Sequence, residues 1–165
     1  MPILDAHTLE FFSRSPEQTR RVGMRLGEHL EAGDFICLQG ELGAGKTTLA
    51  QGLAQGWGTM DSVSSPTFIL VNVYQRVDGG RLFHLDAYRL ESVKEAEELD
   101  IDMMILDGPV LLEWPERFKT LIPSERMWIN LDHIDEEQRK MRFEARGDRY
   151  DQLLSDLRRA AFGGN

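Results

Sequence analysis

The apolar positions fall into short blocks of alternating period. Val22, Leu26 and Leu30 recur at four-residue spacing, which marks one stripe of an amphipathic helix. Its start is well punctuated, with Ser15 as N-cap, Pro16 as first residue and Gln18 as capping-box partner. Gly33 is the predicted stop. Phe35-Ile36-Cys37-Leu38 is a continuous apolar run, the pattern of a buried parallel strand. Helical character returns over Thr48 to Ala54 and breaks at Gly56-Trp57-Gly58. Ser62 to Pro66 reads as an exposed loop. Phe68 to Tyr74 and Leu82 to Leu85 are β-rich, and Asp78-Gly79-Gly80 between them predicts a hairpin turn. Glu91 to Asp107 is acidic and helix-prone, with Leu99, Met103 and Leu106 as its expected inward positions, and Asp107-Gly108-Pro109 ends it. Val110-Leu111-Leu112 predicts another short buried strand. Met127 to Leu131 and Met141 to Ala145 predict two final strands, and Tyr150 to Phe162 a closing amphipathic helix. This succession predicts an α/β layered domain over residues 1–165, with a largely parallel sheet, an antiparallel hairpin and helices on both faces.

Composition changes this picture little. The 165 residues are 41% hydrophobic and 28% charged, as in ordinary soluble globular domains. No apolar run approaches a membrane span, and Met1 to Asp5 shows no secretory signal, so no membrane role is expected. The single cysteine, Cys37, cannot form an internal disulfide; it reads as a small buried apolar residue in a reducing cytoplasm. Four histidines and one cysteine give no zinc spacing. Charge is more informative. A net charge of −9 repels nucleic acid on average, and Arg20-Arg21 and Arg139-Lys140 read as solvated helix and strand ends. The acidic balance suits a basic protein partner or a small ligand.

The strongest chemical signal is Gly40-Glu41-Leu42-Gly43-Ala44-Gly45-Lys46-Thr47, which fits the phosphate-loop pattern G-x-x-x-x-G-K-[ST] at every fixed position. Its glycines let the backbone approach a phosphate without a Cβ in the way. Successive N–H groups from Glu41 through Thr48 then form an anion nest at a helix N-terminus. Lys46 can reach the β- and γ-phosphates, and the Thr47 hydroxyl can ligate Mg²⁺. The apolar run before the loop and the helix after it supply the order strand, loop, helix, as in P-loop NTPases.

Binding alone is not turnover, which needs a metal and a group to orient the attacking oxygen. Asp86 and Glu113 end two predicted strands, and ligands of open α/β sheets lie outside the carboxyl ends of strands. Either carboxylate could hold Mg²⁺ and the other could orient water. Thr67 follows Ser64-Ser65-Pro66, where nucleotide switches place a hydroxyl that senses the γ-phosphate. His84 shares a strand face with Asp86 and reads as a satisfied structural residue. Trp114 reads as core, and His133 has no assigned role.

Taken together, Gly40 to Thr48 (GELGAGKTT), Ser65-Pro66-Thr67-Phe68 with Tyr74, His84-Leu85-Asp86-Ala87-Tyr88-Arg89-Leu90 and Glu113-Trp114-Pro115-Glu116 resemble the TsaE (YjeE) family. That family comprises small bacterial ATPases of tRNA threonylcarbamoyladenosine biosynthesis. The resemblance runs from about residue 15 to about residue 145, with Ala87 standing where the family more usually has Leu. It implies an ATP/ADP cycle with Mg²⁺, weak alone and stimulated by a TsaB–TsaD pair that handles the tRNA. It further implies that Lys46 binds phosphates, Thr47 and Glu113 place the metal, Asp86 acts in hydrolysis and Thr67 is switch-like. Glu17 and Arg139 would lie toward the base of the nucleotide.

Three rival readings use the same loop. A small-molecule kinase of shikimate or nucleoside type would need an acceptor pocket and an Arg-bearing lid, but a β-hairpin is predicted where such a lid would follow. A GTP-dependent switch would need N-K-x-D, and Asn130-Leu131-Asp132 lacks the lysine. A binding module without turnover would not need Thr47, Asp86 and Glu113 together.

Overall fold

The structure, a computed structural model, describes residues 6–41, 43–63 and 71–160. Leu42, Thr67 and the rest of 64–70 lie outside the described residues, as does the segment after 160. The strands are β1 (Thr8–Ser13), β2 (Phe35–Gln39), β3 (Val71–Gln75), β4 (Arg81–Asp86), β5 (Val110–Glu113), β6 (Arg126–His133) and β7 (Arg139–Arg146). The helices are α1 (Pro16–Gly27), α2 (Lys46–Trp57), α3 (Val93–Glu97), α4 (Ile101–Asp107) and α5 (Asp148–Arg158).

All seven strands join one sheet, in the order β1-β7-β6-β2-β5-β4-β3. The β6–β2, β2–β5 and β5–β4 ladders are parallel, whereas β1–β7, β7–β6 and β4–β3 are antiparallel. The sheet is therefore mixed, not largely parallel. A second hairpin, β6–β7, and the N-terminal strand β1 account for the difference. Strand β1 is held at the edge by register with β7 and by Glu10, whose carboxylate pairs across the ladder with Arg142 at 3.2 Å.

Helices cover both faces. On the first face α1, α2 and α5 bury Val22, Leu26, Leu49, Leu53, Leu153 and Leu157 against Ile36, Leu38, Leu111, Ile129 and Phe143 of the strands. On the second, residues near α3 and α4 pack on Phe35, Cys37, Phe83, Leu85, Val110 and Leu112. Cys37 is fully buried there, and burial pushes its thiol pKa well up, which fits a packing role.

Helix α1 begins as its sequence predicts. Ser15 Oγ accepts from the Gln18 N–H, and the Gln18 side chain reaches back to the Arg14 N–H at 2.7 Å. It ends at Gly27, not Gly33; Gly33 instead takes φ +98° in the turn before β2. Along its length α1 packs closely against α2. A Cβ at Gly27 would lie 2.1 Å from the Leu53 carbonyl oxygen, and one at Gly52 would lie 2.2 Å from that of Arg20. Only glycine lets the two backbones touch there.

The acidic stretch forms two short helices, not one. Asp100, at φ 56°, breaks it in the left-handed region. The break resets the helical phase, so Ile101, Met104 and Ile105 face the core. Met103 and Leu106, expected inside, are 60% and 76% exposed. Leu99 does pack against the core. Helix α5 is tied to the turn before β2. Arg149 grips the Asp34 carboxylate with two nitrogens at 2.9 and 2.8 Å, and the Tyr150 hydroxyl accepts from the Phe35 N–H at 2.9 Å.

Candidate functional site

The site forms where β2, β4 and β5 end together. Leu38 and Asp86 are the two register neighbours of Glu113, so the ends of three parallel strands converge. The loop leaves β2 at Gly40, where a Cβ would meet the Leu131 carbonyl oxygen at 2.7 Å. Gly43 and Gly45 adopt φ +79° and +103°, a region that side chains disfavour. Gly45 then caps α2 without any side-chain hydrogen bond. The first-turn N–H groups of Lys46, Thr47 and Thr48 thus receive no side-chain cap from Gly45, an arrangement that suits an anion at the positive end of the helix dipole. Ala44 is buried under the loop, while Glu41 and Gly43 are exposed on it.

Lys46 folds over this loop. Its ammonium donates to the Gly40 carbonyl and, at 3.3 Å, to that of Glu41. It also lies 3.9 Å from the centroid of the Trp114 indole, a cation–π contact. Burial holds the Lys46 pKa below the ordinary value, opposed by the nearby charges of Glu113, Glu116, Asp86 and Glu41.

Asp86 and Glu113 are both buried, at 7% and 1% exposure. Asp86 Oδ1 accepts from the Tyr88 N–H at 2.9 Å and caps a short 3₁₀ turn, Ala87–Arg89. Oδ2 takes no part in that cap. Burial raises the Asp86 pKa, the Tyr88 N–H lowers it and the charge of Glu113 adds to the rise. Glu113 Oε2 lies 2.6 Å from Nε2 of the fully buried His84.

The strand end is also strained. Trp114, the residue after Glu113, has φ 60° and ψ 47°, and Pro115 follows it. A bulky non-glycine residue there is held by its surroundings. Its ring rests on Tyr88, with centroids 4.9 Å apart, and under Lys46.

The structure thus brings Lys46, Thr47, Thr48, Asp86 and Glu113 to one place. Arg139, at the start of β7, also reaches the loop and donates to the Gly43 carbonyl at 2.9 Å. Ser13, its cross-strand neighbour, leads into the exposed first turn of α1, which carries Glu17. Thr67 and Leu42 lie outside the described residues. His84 is the satisfied buried residue that its sequence reading expects, and Trp114 packs against the core as expected; unread were the bond of His84 to Glu113 and the turn of the Trp114 backbone. The alternation of His84 with Asp86 was a usable signal for the first; the backbone turn at Trp114 has no signature in its side chain.

Residues 13–141 match the model of the family described as "Threonylcarbamoyl adenosine biosynthesis protein TsaE". A Streptomyces coelicolor protein named tRNA threonylcarbamoyladenosine biosynthesis protein TsaE is 43% identical over 68% of this chain and 78% of its own length. The Bacillus subtilis protein of the same name is 35% identical over 92% of this chain and 94% of its own. The crystal structure of YdiB from Bacillus subtilis superposes with a TM-score of 0.74 at 30% identity, covering 93% of this chain and 95% of that one. The chain belongs to the TsaE family.

Proposed function

We propose that the chain is a P-loop ATPase that serves threonylcarbamoyl modification of the adenosine beside the tRNA anticodon, in the cytoplasm, with a TsaB–TsaD complex. The pathway is drawn from the names of its relatives. One observation carries the chemistry: Lys46, in the first turn of a helix without a side-chain cap, feels the charges of two buried carboxylates that end adjacent parallel strands.

The donor set fits a nucleotide phosphate chain with Mg²⁺. The amides of residues 43 to 48 and the Lys46 ammonium bind the phosphates, once Lys46 exchanges its carbonyl partners for phosphate oxygens. Thr47 and Glu113 would hold the ion, which would supply charge neutralisation to the phosphates. The buried Asp86 carboxylate orients the attacking water and accepts its proton, a task its raised pKa favours. Thr67 acts as the γ-phosphate sensor. Glu17 and Arg139 lie toward the base. The net charge of −9 leaves tRNA handling to the partners.

Reconstitution tests this reading. ATP hydrolysis is measured with and without TsaB–TsaD and tRNA, alongside multi-turnover modification. The expected result is low hydrolysis alone, stimulation in the complex, and loss of repeated turnover in Glu113→Gln. Undiminished repeated modification with Lys46→Ala and Glu113→Gln would leave only a binding role.

A further inference from the structure

A line of polar groups, buried from Tyr74 onward, crosses β3, β4 and β5, and Glu113 at its end is the one member that the proposed chemistry uses. Asn72 Nδ2 lies 3.5 Å from the Tyr74 hydroxyl. That hydroxyl lies 2.9 Å from His84 Nδ1, and His84 Nε2 lies 2.6 Å from Glu113 Oε2. Tyr74 is 3% exposed, His84 0% and Glu113 1%. The donors run in one direction. A carboxylate only accepts, so Nε2 carries the hydrogen of the last bond, and in a neutral ring Nδ1 then accepts from the Tyr74 O–H.

We propose that His84, held by Tyr74, is a positioning residue that sets the Glu113 carboxylate for the metal. This rests on the reading of Glu113 as a metal carboxylate. A buried carboxylate without hydrogen bonds is costly and free to rotate about its terminal torsion. The His84 bond fixes Oε2 and leaves Oε1 as the oxygen for the metal shell. Tyr74 in turn fixes the ring, and it does so from a different strand: Tyr74 belongs to β3, His84 to β4 and Glu113 to β5. Such outer partners orient metal-binding groups, and their loss typically weakens metal binding about 10–100-fold.

The test uses Mn²⁺ as the probe, its binding to the full-length ADP-bound protein followed by electron paramagnetic resonance. ADP affinity is measured separately in EDTA, and thermal unfolding without nucleotide. His84→Gln is expected to weaken Mn²⁺ binding about 10–100-fold. Tyr74→Phe, which keeps the packed ring, is expected to weaken it less but in the same direction. Both are expected to keep wild-type ADP affinity in EDTA, because the loop amides and Lys46 are untouched. If His84→Gln does not fold, Tyr74→Phe decides the matter. Wild-type Mn²⁺ affinity in Tyr74→Phe, with Glu113→Gln impaired, overturns the positioning role and leaves the metal reading intact. Wild-type Mn²⁺ affinity in Glu113→Gln removes the metal reading, and the role of His84 with it.

Discussion

The two faces of the sheet are built to different tolerances. On the first, α1 and α2 are twelve residues each and touch backbone to backbone through glycines. On the second, α3 and α4 are five and seven residues long. A groove of about 530 Å³ opens there between Arg81, Phe83, Leu99, Met103 and Leu106. The phosphate loop grows out of the tight face, since α2 is both the glycine-packed helix and the one whose first turn closes the loop. A helix packed this closely holds its first-turn N–H groups in place, and a preorganised cradle would have little ordering cost to meet on binding. The looser face carries no such demand, and its helices are shorter than isolated stability would require.

The contrast is sharpest for one substitution made on both faces. Leu53→Ala, on the tight face at 0% exposure, is expected to cost about 2–5 kcal/mol. In urea unfolding its midpoint should fall the furthest of the set. Next comes Gly52→Ala, which drives a Cβ into the Arg20 carbonyl and is expected to cost about 1–3 kcal/mol. At about 2–4 °C per kcal/mol for a chain of this size, calorimetry resolves that loss. An unchanged melting temperature in Gly52→Ala would mean that the helices separate without penalty, and the contrast would fail.

Asp86 gives a smaller effect with a defined sign. Burial raises its folded pKa above the ordinary 3.8. Between 3.8 and that raised value the folded state keeps a proton that the unfolded chain has released. Stability from this group is therefore full below 3.8, falls as pH rises through the window and levels off above it. Asp86→Asn should flatten that part of the stability–pH curve and be the more stable protein at neutral pH. Matching slopes for both proteins would contradict the burial of the carboxylate. Smallest of all is Leu106→Ala on the loose face, where 76% exposure puts the expected change within about 0.5 kcal/mol.

Legibility in the sequence followed the same divide. The loop, β2 and α2 were readable because a glycine pattern, an apolar run and a helical stripe coincide within twenty residues. Asp86 and Glu113 were expected at strand ends, and they do end β4 and β5, which run parallel beside β2. Strand β1 went unread because Phe11 and Phe12 interrupt its alternation and its partner, β7, lies over a hundred residues away. The phase of α4 was misread because Asp100 enters the left-handed region, which an aspartate only weakly signals. The α1–α2 contact was overlooked although Gly23, Gly27, Gly52 and Gly56 stand at four-residue spacing in both helices. Side-chain patterns report what a segment buries, not how near another backbone will come.

The tight face is expected to end in a working nucleotide cradle. Calorimetric titration of ATP with Mg²⁺ into the wild-type protein and Lys46→Ala tests it most directly. The wild type should bind one ATP per chain, and Lys46→Ala, losing a charge-assisted phosphate contact of about 1.5–3 kcal/mol, should bind at least tenfold more weakly. Equal affinities, or no binding by the wild type, would contradict it.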